Sequence, residues 1–184
     1  MSMQIVKPTV QLTLFLVFMS ALPLGLPMDW TPGMTERFWA HTGSYSMQLA
    51  YMAFLLILVR IAYPKLKKQN IANVKIVAEL NQYATKYHVP IGWSALILTI
   101  GHSIYYLILL SPKPMDTYSG LLATIGMLVV TLIGFQLQKN LRESKTRRWH
   151  YYVSIMLLIA VIVHNYYADV HAHLGLYKTV YGGH

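Results

Sequence analysis

The chain has 184 residues, of which 55% are hydrophobic and 11% charged, with a net charge of +9 and no cysteine. Soluble domains carry about 25% charged residues, so this composition with its long apolar runs excludes an ordinary soluble domain and implies a polytopic membrane protein. Without thiols there are no disulfides, no thiolate metal ligands and no cysteine-held iron–sulfur cluster.

Lys7 precedes an apolar run from Val10 to Leu26, whose far end Pro23 and Pro27 weaken as a helix. The run resembles a signal peptide's charged start and apolar body, and is expected to persist as a first span. Met28 to Ala40 reads as a polar connection, with Trp30 and Trp39 as interfacial anchors. A second span opens at His41-Thr42-Gly43, runs to about Tyr63 and is expected to stop at Pro64. The linker from Lys65 to Tyr87 is basic, and Ile71, Val74, Ile76, Val77, Leu80 and Tyr83 fall at the spacing of an amphipathic surface helix. Pro90 then suits the first turn of a third span reaching about Leu110.

Ser111 to Asp116 reads as a turn. A fourth span covers about Tyr118 to Leu137, where Gly120, Gly126 and Gly134 permit close helix approach. Gln138 to Trp149 is a basic loop before a fifth span, about Trp149 to Tyr167. The tail, residues 168–184, is polar. The expected fold is all-α: one domain, residues 1–184, forming a membrane helical bundle of about five spans, with its histidine core at about 41–167.

Charge divides the connections into two classes. One side holds Lys7, Arg60, Lys65, Lys67, Lys68, Lys75, Lys86, Lys139, Arg142, Lys145, Arg147 and Arg148; the other holds only Arg37, Lys113 and Lys178. The positive-inside rule places the first side, and the N-terminus, in the cytoplasm, with the C-terminus outside a plasma or inner membrane. The basic excess is therefore a topology signal. Its membrane-flanking distribution argues against nucleic-acid binding.

The informative spacing is between histidines. His88 and His102 lie fourteen positions apart around an apolar segment, and His150 and His164 repeat that spacing. Fourteen helical residues rise about 21 Å and fall only about 40° short of four turns. Each pair thus shares one face of its span, one imidazole toward each leaflet. Spans three and five run in the same direction, so partners at like depth are His88 with His150 and His102 with His164. Two imidazoles at each of two depths suit two stacked b-type haems, with these four histidines as axial ligands to iron. Should His88 lie at the membrane surface, ahead of Pro90, one haem remains, on His102 and His164.

Gly92 and Gly101 reduce bulk where a flat macrocycle would approach. Lys86, Arg147 and Arg148 inside, and Arg37 and Lys113 outside, are candidate partners for haem propionates; as membrane-flanking charges they also serve topology. His41, His171, His173 and His184 form a looser outer set, read as a solvated loop and tail or as a metal or docking site. The tyrosine pairs at span ends read as interfacial anchors.

These features resemble the ferric reductase-like transmembrane domain, a family that includes ferric reductases, the membrane half of NADPH oxidases and the haem-binding subunit of bacterial methionine sulfoxide reductase systems. The resemblance rests on Thr42-Gly43, on Gly92 with His102-Ser-Ile-Tyr105, and on Arg148-Trp149-His150 leading to His164. It implies a haem b conduit ligated by His88, His102, His150 and His164. In flavin-dependent members, electrons pass from NAD(P)H through FAD to the inner and then the outer haem. Here the sixth span, a His-Pro-Phe-Thr-type flavin motif and a Gly-rich nucleotide loop are missing, so no FAD or NAD(P)H site is expected in this chain. The donor would be a separate flavoprotein or membrane quinol. The acceptor would be ferric iron, oxygen, a flavoprotein or a reductase partner outside. On this reading the chain is the electron-transfer subunit of an oxidoreductase, embedded in membrane lipid. The alternatives are a haem-free membrane scaffold and a haem-free metal transporter or sensor with a histidine-lined pore; the latter would call for carboxylates within the spans, whereas Glu79 and Glu143 read as loop residues and Asp169 follows the last span.

Overall fold

The computed structural model describes residues 3–21, 31–69, 74–108, 114–139 and 143–173. They form five α-helices: α1 (Met3–Ala21), α2 (Pro32–Lys68), α3 (Val74–Ile108), α4 (Pro114–Lys139) and α5 (Ser144–His173). There is no strand among the described residues. Helices α2 to α5 are each long and apolar enough to cross a membrane, whereas the apolar stretch of α1, Ile5–Ala21, is shorter. The all-α fold expected from the sequence is therefore the observed one, with four of its five helices long and apolar enough to cross a membrane. In a bilayer, helices satisfy every backbone polar group internally, which is why the apolar runs take this form.

Several boundaries differ from those the sequence predicts. Helix α1 begins before Val10, runs through Pro8 and ends at Ala21; Pro23, Pro27 and Trp30 lie outside the described residues. The polar connection at Met28 to Ala40 is in its larger part the start of α2. Thr31 caps it, its side chain accepting from the Met34 N–H at 3.3 Å, and Pro32 sits where its fixed φ suits the first turn. At the other end, α2 does not stop at Pro64 but continues to Lys68, where the Gln69 N–H bonds back to the Lys65 and Leu66 carbonyls. Proline forfeits a single bond to the residue four before it, and the following turn closes past that gap.

The expected surface helix and third span are one element. Residues 74–87 are helical, as their spacing predicts, but they continue through Pro90 into the span. Glu79, expected in a loop, lies exposed on this helix. At about 1.5 Å per residue, α2 and α3 run to more than 50 Å, well beyond a hydrocarbon core of about 30 Å. Their surplus includes the lysine-rich end of α2 and the start of α3. Helix α5 likewise extends through residues 168–173, predicted as tail, while His184 lies outside the described residues.

The chain divides into two units, Met1–His102 and Ser103–His184, the division falling within α3. In the first, α1 packs on α2, and the buried Ser94 of α3 donates to the Thr9 carbonyl of α1 at 3.2 Å. The core is built on small side chains, with Ala84, Ala95, Ser94 and Thr42 all but inaccessible. Small residues let helix backbones approach, the main source of association where lipid is as apolar as leucine. In the second unit α4 packs along α5. A β-carbon at Gly126 would stand 3.2 Å from Leu157 Cδ1, so this glycine does mark a close crossing. Large apolar side chains such as Leu55, Leu122 and Met156 are exposed, as lipid-facing positions require.

Candidate functional site

Helix α2 holds α3 through three rungs at regular intervals. His102 Nδ1 meets the Trp39 carbonyl at 2.8 Å, Ser46 Oγ donates to the Ala95 carbonyl at 2.9 Å, and His88 Nδ1 meets the Ala53 carbonyl at 3.1 Å. Successive rungs are separated by seven residues on each helix, in opposite senses, so they mark one antiparallel seam. Seven residues make nearly two helical turns, which returns the same face to the partner. Both imidazoles of α3 therefore lie on this seam, one at each end, with Ser46 midway. Ser46 also pairs with the Thr99 hydroxyl.

The carbonyl partners decide the chemistry of these two rings. A carbonyl only accepts, so Nδ1 of His88 and of His102 must carry the proton. In a neutral imidazole this leaves the lone pair on Nε2, at the opposite edge of the ring. A second hydrogen bond of this kind is how proteins orient a histidine that ligates a metal. Each ring is half-buried.

Glycine makes the approach to Trp39 possible. A β-carbon on Gly43, one turn along α2 from Trp39, would overlap the His102 ring. The Thr42 hydroxyl donates to the same Trp39 carbonyl at 2.8 Å and is buried. Gly101, expected to make room for a macrocycle, instead receives Trp39: a β-carbon there would stand 2.7 Å from the indole Cζ3. The bulk that Gly101 lacks is thus supplied by its neighbour on α2. Gly92 differs, because a β-carbon added there meets nothing within 4 Å.

The second unit repeats the device with different parts. A β-carbon on Gly120 would lie 3.1 Å from His164 Cε1, and one on Gly134 would lie 3.2 Å from His150 Cε1. These glycines of α4 are themselves fourteen apart, matching the histidines of α5 in reverse order. His164 Nδ1 is 3.1 Å from Ser119 Oγ. His150 is buried and His164 half-buried. All four histidines thus lie against a neighbouring helix of their own unit.

The expected propionate partners are outward-facing. Lys86, Arg37, Arg147 and Arg148 are exposed, and Lys86 Nζ stands 5.1 Å from the Tyr87 ring centre. Lys113 lies outside the described residues. His41 is exposed on α2, while His171 and His173 fall in the last turn of α5. Among the described residues, no three His, Cys, Asp or Glu side chains gather as a metal cluster.

Sequence reasoning did not anticipate the carbonyls of Trp39 and Ala53 or the hydroxyl of Ser119. A backbone carbonyl leaves no mark in a sequence. The fourteen-residue interval between Gly120 and Gly134, equal to that between His150 and His164, is the one signal that was available. No family model, curated protein or solved structure matches the chain.

Proposed function

We propose that this chain is a cytochrome b-type electron-transfer subunit, passing electrons across a membrane through two haems b. His88 with His150, and His102 with His164, are the residues that would hold them. The pairing follows from the charge-derived direction of the spans, which gives each pair a common depth. The donor is a cytoplasmic flavoprotein or a membrane quinol, and the acceptor an extracytoplasmic ferric ion, oxygen, flavoprotein or reductase partner. The resemblance to ferric reductase-like transmembrane domains, proposed on the motifs described above, leads to the same function.

The observation that carries this reading is the state of the α3 imidazoles. Backbone carbonyls fourteen residues apart on α2 take the Nδ1 protons of His88 and His102, leaving Nε2 as the donor atom on each. That donor set fits haem iron, which takes neutral imidazole nitrogen. Open space at Gly92 fits a flat group near the cytoplasmic end of the span. When bound, haem would supply a one-electron ferric/ferrous couple.

The chain's own residues perform the remaining tasks. Trp39 and Ala53 orient the α3 rings, while Gly43, Gly120 and Gly134 admit three of the four rings between helices. Exposed leucines and isoleucines keep the spans in lipid and water out. Lys86, Arg147, Arg148 and Arg37 are the proposed cationic partners for propionates near the interfaces. The proposed orientation, N-terminus in the cytoplasm and C-terminus outside, is supported by the positive-inside rule, with 12 of the 15 basic residues assigned to one side.

The test is a reduced-minus-oxidised spectrum of the purified full chain, with haem content per chain and a redox titration. Two haems and a sharp reduced α-band are expected. His102→Ala or His164→Ala should lose the outer haem while helicity persists. A colourless protein after ample haem supply would overturn the proposal.

A further inference from the structure

We infer that Ser119 is a positioning residue for His164, and that its hydroxyl tunes the potential of the iron this histidine would hold. The inference rests on the haem reading above and adds a residue that neither the motifs nor the histidine spacing identifies.

Ser119 is buried on α4 and precedes Gly120. The two consecutive residues form one seat for the His164 ring. Gly120 admits the Cε1 edge, and Ser119 Oγ stands 3.1 Å from Nδ1. The seat is itself tied down. Thr124 donates to the Gly120 carbonyl at 2.8 Å, and its hydroxyl pairs with that of Ser103 at 2.7 Å.

The seat differs in kind from those on α2. His88 and His102 face carbonyls, which accept only and so impose one tautomer. A hydroxyl has one donor hydrogen and two acceptor lone pairs, so it serves either tautomer. With Nε2 on a metal, Nδ1 carries the proton and donates to Ser119 Oγ. Such an acceptor draws on the Nδ1 proton, makes the ring a stronger electron donor and favours the ferric state. Removing the hydroxyl weakens that donation, so the potential of this one iron rises. Unlike the carbonyls that face His88 and His102, the Ser119 hydroxyl is a group whose chemistry a side-chain substitution removes outright.

Ser119→Ala and Ser119→Thr in the haem-loaded full chain test the inference. Ser119→Ala should keep two haems per chain and move one midpoint potential upward. A tenfold loss of ferric preference reads as about 59 mV for one electron. The other midpoint should stay in place. The low-spin ferric resonance of the same haem should shift, and Ser119→Thr, which restores a hydroxyl, should return both signals toward wild type. Unmoved midpoints in Ser119→Ala, or both haems moving together, would overturn the role given to Ser119 and leave the electron-transfer reading standing. Loss of a haem that Ser119→Thr fails to restore in folded protein would also overturn it. Wild-type protein without haem is a distinct result, and sinks the parent reading together with this one.

Discussion

Gly43 of α2 lies directly beneath the imidazole of His102 on α3, so close that a β-carbon on the glycine would overlap the ring. One turn back, the Trp39 carbonyl holds Nδ1 of the same ring at 2.8 Å. The absent side chain and the present hydrogen bond are two parts of one contact. Glycine is tolerated within a transmembrane helix here because the backbone must be reached from the side.

Gly43→Ala should therefore damage the His102 seat. Alanine improves helix propensity by about 1 kcal/mol. Overpacking costs about 1–3 kcal/mol, and a lost hydrogen bond about 1 kcal/mol more, so the penalty wins. The variant should be less stable by about 1–3 kcal/mol in a detergent unfolding titration and should lose the outer haem first. Gly92→Ala, which meets nothing within 4 Å, is the control. Its haem-free form should match wild type or gain up to about 1 kcal/mol. Equal losses at both positions would show that the seat is not specific.

The two glycines of α4 should separate the two haems. Added β-carbons stand 3.1 Å from His164 at Gly120 and 3.2 Å from His150 at Gly134, tight enough that each ring must shift. Gly120→Ala should move the midpoint of the outer haem and Gly134→Ala that of the inner one, as read in a two-component redox titration. Both variants acting on one component would contradict the proposed depth order.

Ser46 is the middle rung of the α2–α3 seam, and donates to the Ala95 carbonyl at 2.9 Å from a buried position. Hydroxyl bonds between membrane helices average about 0.6 kcal/mol. Ser46→Ala should lower stability by about that amount, up to about 1 kcal/mol, with both haem midpoints unchanged. A shift of either midpoint would mean that the rung sets ring geometry as well as helix register.

Orientation is open to a direct check because the chain has no cysteine. A single cysteine replacing the exposed Lys145 near the start of α5 should react with a membrane-impermeant maleimide only from the cytoplasmic side. Labelling from outside intact cells would invert the topology and the inner and outer assignments with it.

Much of the architecture was legible from local pattern. Apolar runs located α2 to α5, and the spacing of Val74 to Tyr83 revealed a helix that does exist. What misled were prolines. Pro64 and Pro90 read as boundaries, yet both lie inside helices, because neighbouring helices and local adjustments compensate the lost backbone bond in a membrane helix, and that packing is not visible locally. Gly101 was assigned open space that Trp39 fills, a contact between residues more than sixty positions apart.

Hydropathy and helical periodicity are properties of neighbouring residues, so the chain alone determined an all-helical membrane protein with imidazoles recurring at a four-turn interval. Which groups meet those imidazoles was decided by the folded arrangement. The carbonyls of Trp39 and Ala53, the hydroxyl of Ser119 and the bare backbones of Gly43, Gly120 and Gly134 reach the rings only when antiparallel helices set their register. That register is a sum of contacts between distant segments, and no single stretch of sequence contains it.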